Sequence, residues 1–222
     1  MFQYCLFDLD GTLTDSQEGI IKSVQYALSF FGIEEPDLQK LTPFLGPPLQ
    51  KSFMEFYGFS PEDAAKAIAL YRERFAPIGI FENSVYPGIP DLLERLKEKG
   101  MLLAVASSKP ECYVRQILVH FDIEKYFDVV VGSELDGSRS QKEEVVEEAL
   151  KRLGILTVPI EKRKSVCVMI GDRKFDLQGA KAHFLTGVGA GYGYASAGEL
   201  EEEGADYIAE TVEKLAQYLG VC

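Results

Sequence analysis

The chain has 222 residues, 23 Lys+Arg against 35 Asp+Glu, and a formal net charge of −12. That balance, with no basic run to offset it, disfavours binding to nucleic acid or anionic lipid by bulk electrostatics. A hydrophobic fraction of 46% rules out intrinsic disorder, and the length suits one large domain or two small ones. No apolar stretch approaches the roughly 20 residues of a membrane span, and the N-terminus has neither a basic start nor a small-residue cleavage site. The four cysteines, Cys5, Cys112, Cys167 and Cys222, form no CxxC pair. Cys5 and Cys167 lie in apolar runs, so the expectation is free thiols and a cytoplasmic location.

The first apolar run, Tyr4–Leu9, predicts a buried strand that leads straight into Asp8-Leu9-Asp10-Gly11-Thr12. Strand alternation would set Asp8 and Asp10 on one side, roughly 6–7 Å apart. Two carboxylates at the carboxyl end of a strand suggest a bound cation. A calcium EF-hand loop is excluded, because Leu13 and Gly19 stand where Gly and Glu are required.

From Asp15 to Ser84 no convincing strand follows. Ser16–Phe31 carries Ile20, Val24, Ala27 and Leu28 at helical spacing. Pro47–Tyr57 predicts a shorter helix, and Ser60-Pro61-Glu62-Asp63 is a strong start for one running to Phe75. Strand and helix then alternate. Helices are expected over Gly88–Lys99, Pro110–His120 (with Pro110 in the first turn), Gln141–Leu153, Leu177–Phe184 and Thr211–Leu219. Strands are expected at Leu102–Ala106, Val129–Val131, Val166–Ile170 and Thr186–Val188. This order predicts an α/β fold, a parallel sheet with helices on both faces. The acidic run Glu199–Glu203 reads as a solvated helix face.

Three further segments fall at strand ends: Ser107-Ser108-Lys109-Pro110, Asp136-Gly137-Ser138-Arg139-Ser140-Gln141-Lys142, and Gly171-Asp172-Arg173-Lys174-Phe175-Asp176. Taken in order with Asp8-x-Asp10-Gly11-Thr12, they resemble the four motifs of the haloacid dehalogenase-like (HAD) superfamily. The chain is most similar to its phosphoglycolate phosphatase-like and 5′-nucleotidase-like branches.

The resemblance implies a Rossmann-like core over 1–14 and 85–222, with an all-helical, four-helix-type cap over 15–84 inserted after the first strand. It implies a cytosolic Mg²⁺-dependent phosphatase acting on a small phosphate monoester, with 2-phosphoglycolate and nucleoside 5′-monophosphates as leading substrates. Asp8 would be the nucleophile that forms a phospho-aspartate, and Asp10 the general acid and base. Ser107 and Lys142 would steady the phosphoryl group, with Lys109, which also lies beside a strand end, a second candidate for the lysine. Asp8, Asp172, Asp176 and Asp10, the last through its backbone carbonyl, would form the metal set. Thr12, Ser108, Lys109 and, in the cap, Gly46 would meet substrate. Lys22, Lys51, Arg72 and Arg74 are cap cations within possible reach of it. Asp10 separates phosphoryl transfer from dehalogenation, since halide leaves without a proton. A β-phosphoglucomutase-type phosphomutase and a non-catalytic regulator of the same fold are the alternatives. Neither membrane nor nucleic acid is an expected partner, and the oligomeric state is left open. His120 and His183 lie away from the motifs. Gly189-Ala190-Gly191-Tyr192-Gly193 lacks the context of a dinucleotide loop and reads as a loop at the rim of the site.

Overall fold

The computed structural model describes residues 2–221, so Cys222 lies outside it. Two compact units emerge: 2–14 together with 85–221, and Asp15–Ser84. Strand β1 is Tyr4–Phe7, and the two-residue strands β2 (Thr14–Asp15) and β3 (Ser84–Val85) mark the crossings between units.

The inserted unit contains helices α1 (Gln17–Ser29), α2 (Leu49–Tyr57) and α3 (Pro61–Phe75), with 3₁₀ turns at Leu38–Phe44 and Gly79–Phe81. These are three α-helices among the described residues, where four were expected. The fourth place is taken by the Leu38–Phe44 3₁₀ turn, which carries a proline, Pro43, that an α-helix interior disfavours. The start of α3 follows its sequence signature, with the Ser60 hydroxyl accepting from Asp63 N at 3.1 Å. An aromatic cluster fills this unit: Phe44 meets Phe53 at 5.0 Å between ring centroids, and Phe53 stacks on Phe59 at 5.8 Å.

The larger unit continues with α4 (Ile89–Glu98), β4 (Leu102–Pro110), α5 (Glu111–His120), β5 (Val129–Ser133), α6 (Lys142–Arg152) and α7 (Ile160–Val166). It ends with β6 (Cys167–Gly171), α8 (Lys174–Ala182), β7 (Thr186–Ala190), α9 (Glu199–Glu202), β8 (Tyr207–Ala209) and α10 (Val212–Leu219). The five expected strands form, joined by a sixth, β8. Three residues at a sheet edge are too few to show a period, and α7, rich in charge, gave none either. Pro110 closes β4 and caps α5 instead of entering its first turn.

The six strands are parallel in the order β5-β4-β1-β6-β7-β8. One face of the sheet packs Leu6, Ala104, Val131 and Met169 against Val145, Val146, Ala149 and Leu150 of α6 and Ala180 of α8. The chain leaves β1 toward β4 but leaves β6 toward β7. Its connections therefore diverge between β1 and β6 and open a crevice at their carboxyl ends, the usual ligand position in such sheets. At the β5 edge, Arg115 and Arg152 donate to Val130 O at 3.3 and 3.0 Å, and Arg139 donates to Gly132 O at 2.9 Å. Glu111 gathers these cations, at 2.9 Å from Arg115 and 3.2 Å from Arg152.

Candidate active site

The crevice receives its first carboxylates from the end of β1. Regular strand geometry stops at Phe7. Asp8 N still donates to Ile170 O of β6 at 2.9 Å, and the chain then winds around Leu9 O, which accepts from Leu13 N at 2.9 Å and Thr14 N at 3.0 Å. Gly11 makes this turn possible: its φ is +80°, and a Cβ there would lie 2.1 Å from Asp172 Oδ2. The carboxylates of Asp8 and Asp10 engage different lysines.

Asp8 joins Asp172 and Asp176 from the β6–α8 junction. One oxygen from each of these buried carboxylates lies within 4.8 Å of the others. Lys142, at the start of α6, reaches among them from a helix begun by a reciprocal capping box between Gln141 and Glu144. Its Nζ stands 3.0 Å from Asp8 Oδ1 and 2.7 Å from Asp176 Oδ1, and it donates to Ala106 O at 3.0 Å. Asp176 also caps its own helix, accepting from Arg173 N at 3.0 Å. Asp172 accepts from Tyr194 N at 2.7 Å and from the Thr12 hydroxyl at 3.4 Å. Thr12 is fully buried, its hydroxyl turned to Asp172.

Electrostatics follow from this crowding. Burial, with the neighbouring Asp176 and Asp10, pushes the Asp8 carboxyl up to about 6 although Lys142 pulls it down. Burial and the charges of Asp176 and Asp8 raise Asp172 well above the ordinary carboxylate range. Burial opposes the charge on Lys142, but Asp176 and Asp8 outweigh it and hold the ammonium protonated far above its usual value. One ammonium touches two of the three carboxylates, so full ionisation of all three would leave two negative charges unmatched. Like charges about 4 Å apart repel by about 4 kcal/mol at an effective dielectric near 20. A divalent cation fits this arrangement in charge, and the all-oxygen donor set suits a hard ion rather than zinc. Asp8, Asp172 and Asp176 could hold a metal.

Asp10 is held by a different lysine. Lys109 Nζ lies 2.7 Å from both of its carboxylate oxygens. Ser107 is buried, its Oγ accepting from Lys109 N at 3.4 Å, and the Ser108 carbonyl accepts from the Ser133 hydroxyl at 2.8 Å. Gly46 belongs to the helical unit, where a φ of +104° turns the chain ahead of α2. In that unit Arg74 grips Glu82 through both nitrogens, at 2.8 and 3.0 Å, and Lys22 adds a third contact at 3.0 Å. Arg74 and Lys22 are thus engaged within the unit itself.

Sequence reasoning missed two supports. Glu199, read as part of a solvated face, is 10% exposed and accepts from Arg173 Nε and Lys174 N, both at 2.9 Å. Burial would raise its carboxyl, but the Arg173 hydrogen bond and the backbone N–H groups of Lys174 and Ser196 hold it low. The rim loop also does more than border the site, since the Tyr192 hydroxyl donates to Thr12 O at 3.0 Å. The repeated Gly-Tyr pattern was the available signal.

This constellation of acids and a lysine at the ends of parallel strands defines a class. The family model for haloacid dehalogenase-like hydrolases matches residues 5–189, and the chain belongs to that family. It is an enzyme of the phosphatase type. A 5′-nucleotidase of Pseudomonas aeruginosa is 45% identical over 96% of this chain and 94% of its own. The tyrosine-protein kinase PtkA of Mycobacterium tuberculosis is 39% identical over 99% of this chain and 73% of its own. Among solved structures, a predicted phosphatase from Clostridium acetobutylicum superimposes with a TM-score of 0.92 at 47% identity, covering 99% of this chain and 98% of that one. No helix among the described residues is long and apolar enough to cross a membrane.

Proposed function

We propose that the chain hydrolyses small phosphate monoesters through a phospho-aspartate on Asp8, with Mg²⁺ held by Asp8, Asp172, Asp176 and the Asp10 carbonyl. The observation that carries this reading is the buried carboxylate triad with Lys142 between Asp8 and Asp176. A divalent cation there supplies the positive charge that lets an anionic nucleophile meet an anionic phosphoryl group. Asp8 Oδ attacks phosphorus and the bond to the alkoxyl oxygen breaks. Asp10 gives its proton to that oxygen as it leaves. Asp10 then takes a proton from water, whose oxygen attacks phosphorus and frees Asp8. Ser107 and Lys142 steady the phosphoryl oxygens throughout. Lys142 also keeps Asp8 ionised against the burial that raises it.

Nucleoside 5′-monophosphates lead as substrates, supported by the 45% identity to the Pseudomonas 5′-nucleotidase, with 2-phosphoglycolate second. We assign the helical unit the part of a cap that selects among them, and the cytoplasm as its compartment. The test is phosphate release from a phosphomonoester panel with Mg²⁺, wild type beside Asp8→Asn. Full turnover by Asp8→Asn refutes the nucleophile. Conversion of glucose 1-phosphate to the 6-phosphate without phosphate release selects the mutase. Transfer from ATP to a tyrosyl peptide, with no phosphomonoester turned over, selects a kinase like PtkA.

A further inference from the structure

Asp10 and Lys109 form a buried pair, their side chains 12% and 7% exposed. One ammonium contacts both carboxyl oxygens at 2.7 Å, which fixes the plane of the carboxyl group. Both backbones are anchored. Asp10 bridges to Thr14, and Gly11 N donates to Thr14 O at 2.8 Å. On the other side, the pairing of β4 with β5 shifts register between Ala106 and Pro110. Such an irregularity re-aims the side chains it contains. The Ser133 hydroxyl holds Ser108 O at 2.8 Å inside that shift, immediately before Lys109.

We propose that Lys109 is a positioning residue for Asp10, and that the phosphoryl group is not its partner. This rests on the reading of Asp10 as the acid that protonates the leaving oxygen. A proton is handed over along one line, and a displacement of about 1 Å at a reacting group costs on the order of a hundredfold in rate. Lys142 already occupies the cationic place beside Asp8. Lys109 therefore acts on the two proton transfers that Asp10 serves, of which kcat/KM reads the first.

Leaving-group dependence tests this. An alkoxide such as that of adenosine 5′-monophosphate needs a proton as it departs, whereas p-nitrophenolate does not. Lys109→Met should lower kcat/KM for adenosine 5′-monophosphate by about 10–100-fold and for p-nitrophenyl phosphate by less than about threefold. The ratio is taken within one preparation, so partial misfolding cancels. Lys109→Arg, whose fork can also meet both oxygens, should restore most of the loss. In an Asp10→Asn background, Lys109→Met should cost less than about twofold for either substrate, because the effect runs through Asp10. Equal losses on both substrates, or a full loss in the Asp10→Asn background, would show that Lys109 grips the phosphoryl group and overturn the proposal. If Asp10→Asn itself shows no preference for the aryl ester, the acid role of Asp10 falls and this inference falls with it. If Asp10→Asn shows that preference and Lys109→Met does not, only the role of Lys109 is lost.

Discussion

The two units handle charge in opposite ways. In the sheet unit, acids are concentrated: Asp8, Asp172 and Asp176 are packed together at a strand end, with more negative charge than Lys142 can neutralise. In the helical unit Glu82 is over-supplied, with Arg74 and Lys22 both closing on one carboxylate. The first arrangement is left incomplete by the protein's own residues and so marks a place for a ligand. The second satisfies its charges internally, while Phe44, Phe53 and Phe59 supply the packing. Unmatched buried charge points to chemistry; matched charge points to architecture.

Four measurements probe that contrast, from the largest effect to the smallest. Asp8→Asn should lower phosphomonoester turnover by more than about a thousandfold while circular dichroism stays native, since the nucleophile is gone and the fold is not. Lys142→Met leaves Asp8 and Asp176 without their shared ammonium. In EDTA it should destabilise the protein by about 3–5 kcal/mol in urea titrations; a smaller change would mean that the site relaxes freely.

The third measurement concerns pH. The Asp8 carboxyl is raised to about 6 by burial in the metal-free site, so the folded state binds a proton there more tightly than the unfolded chain. Its contribution to metal-free stability is present at low pH and lost as pH climbs from about 4 through 6. Bound Mg²⁺ competes with that proton. The rise in Tm produced by Mg²⁺ should therefore be small at pH 5 and several degrees larger at pH 7. A shift independent of pH would detach Asp8 from the metal.

The smallest effect belongs to the helical unit. Hydrogen bonding from Arg74, supported by Lys22, lowers the Glu82 carboxyl. Glu82→Gln should cost about 1 kcal/mol near neutrality, and the difference should disappear as pH falls through that depressed range. Phosphatase chemistry on the bound substrate should be unchanged, which would confirm that this pair serves structure alone.

Much of the sheet unit was legible because its strands are apolar on both faces and its acids fall in motifs that resemble a known family. Asp8, Lys142, Asp172 and Asp176 could be read in order along the chain, and they meet in space. What escaped was partner choice across long sequence separations. Nothing near Lys109 in the chain says that it will meet Asp10, 99 residues away and across a strand whose pairing shifts register at that point. Glu199 looked like one of a row of solvated acids until its position opposite Arg173 was known. Strand β8 is too short for periodicity, and the turn at Leu38–Phe44 takes a 3₁₀ form that hydrophobic spacing does not announce.

The arginines along β5 have a consequence for life in a crowded solution. An open sheet ends in peptide groups that can template a neighbour's strand, the first step toward fibrous association. Here Val130 O and Gly132 O are already engaged by Arg115, Arg152 and Arg139, and Glu111 keeps those guanidinium groups in place. An incoming strand would have to break several charge-assisted contacts before making its first hydrogen bond. Two acceptors of this edge are thus held by side chains of the same chain.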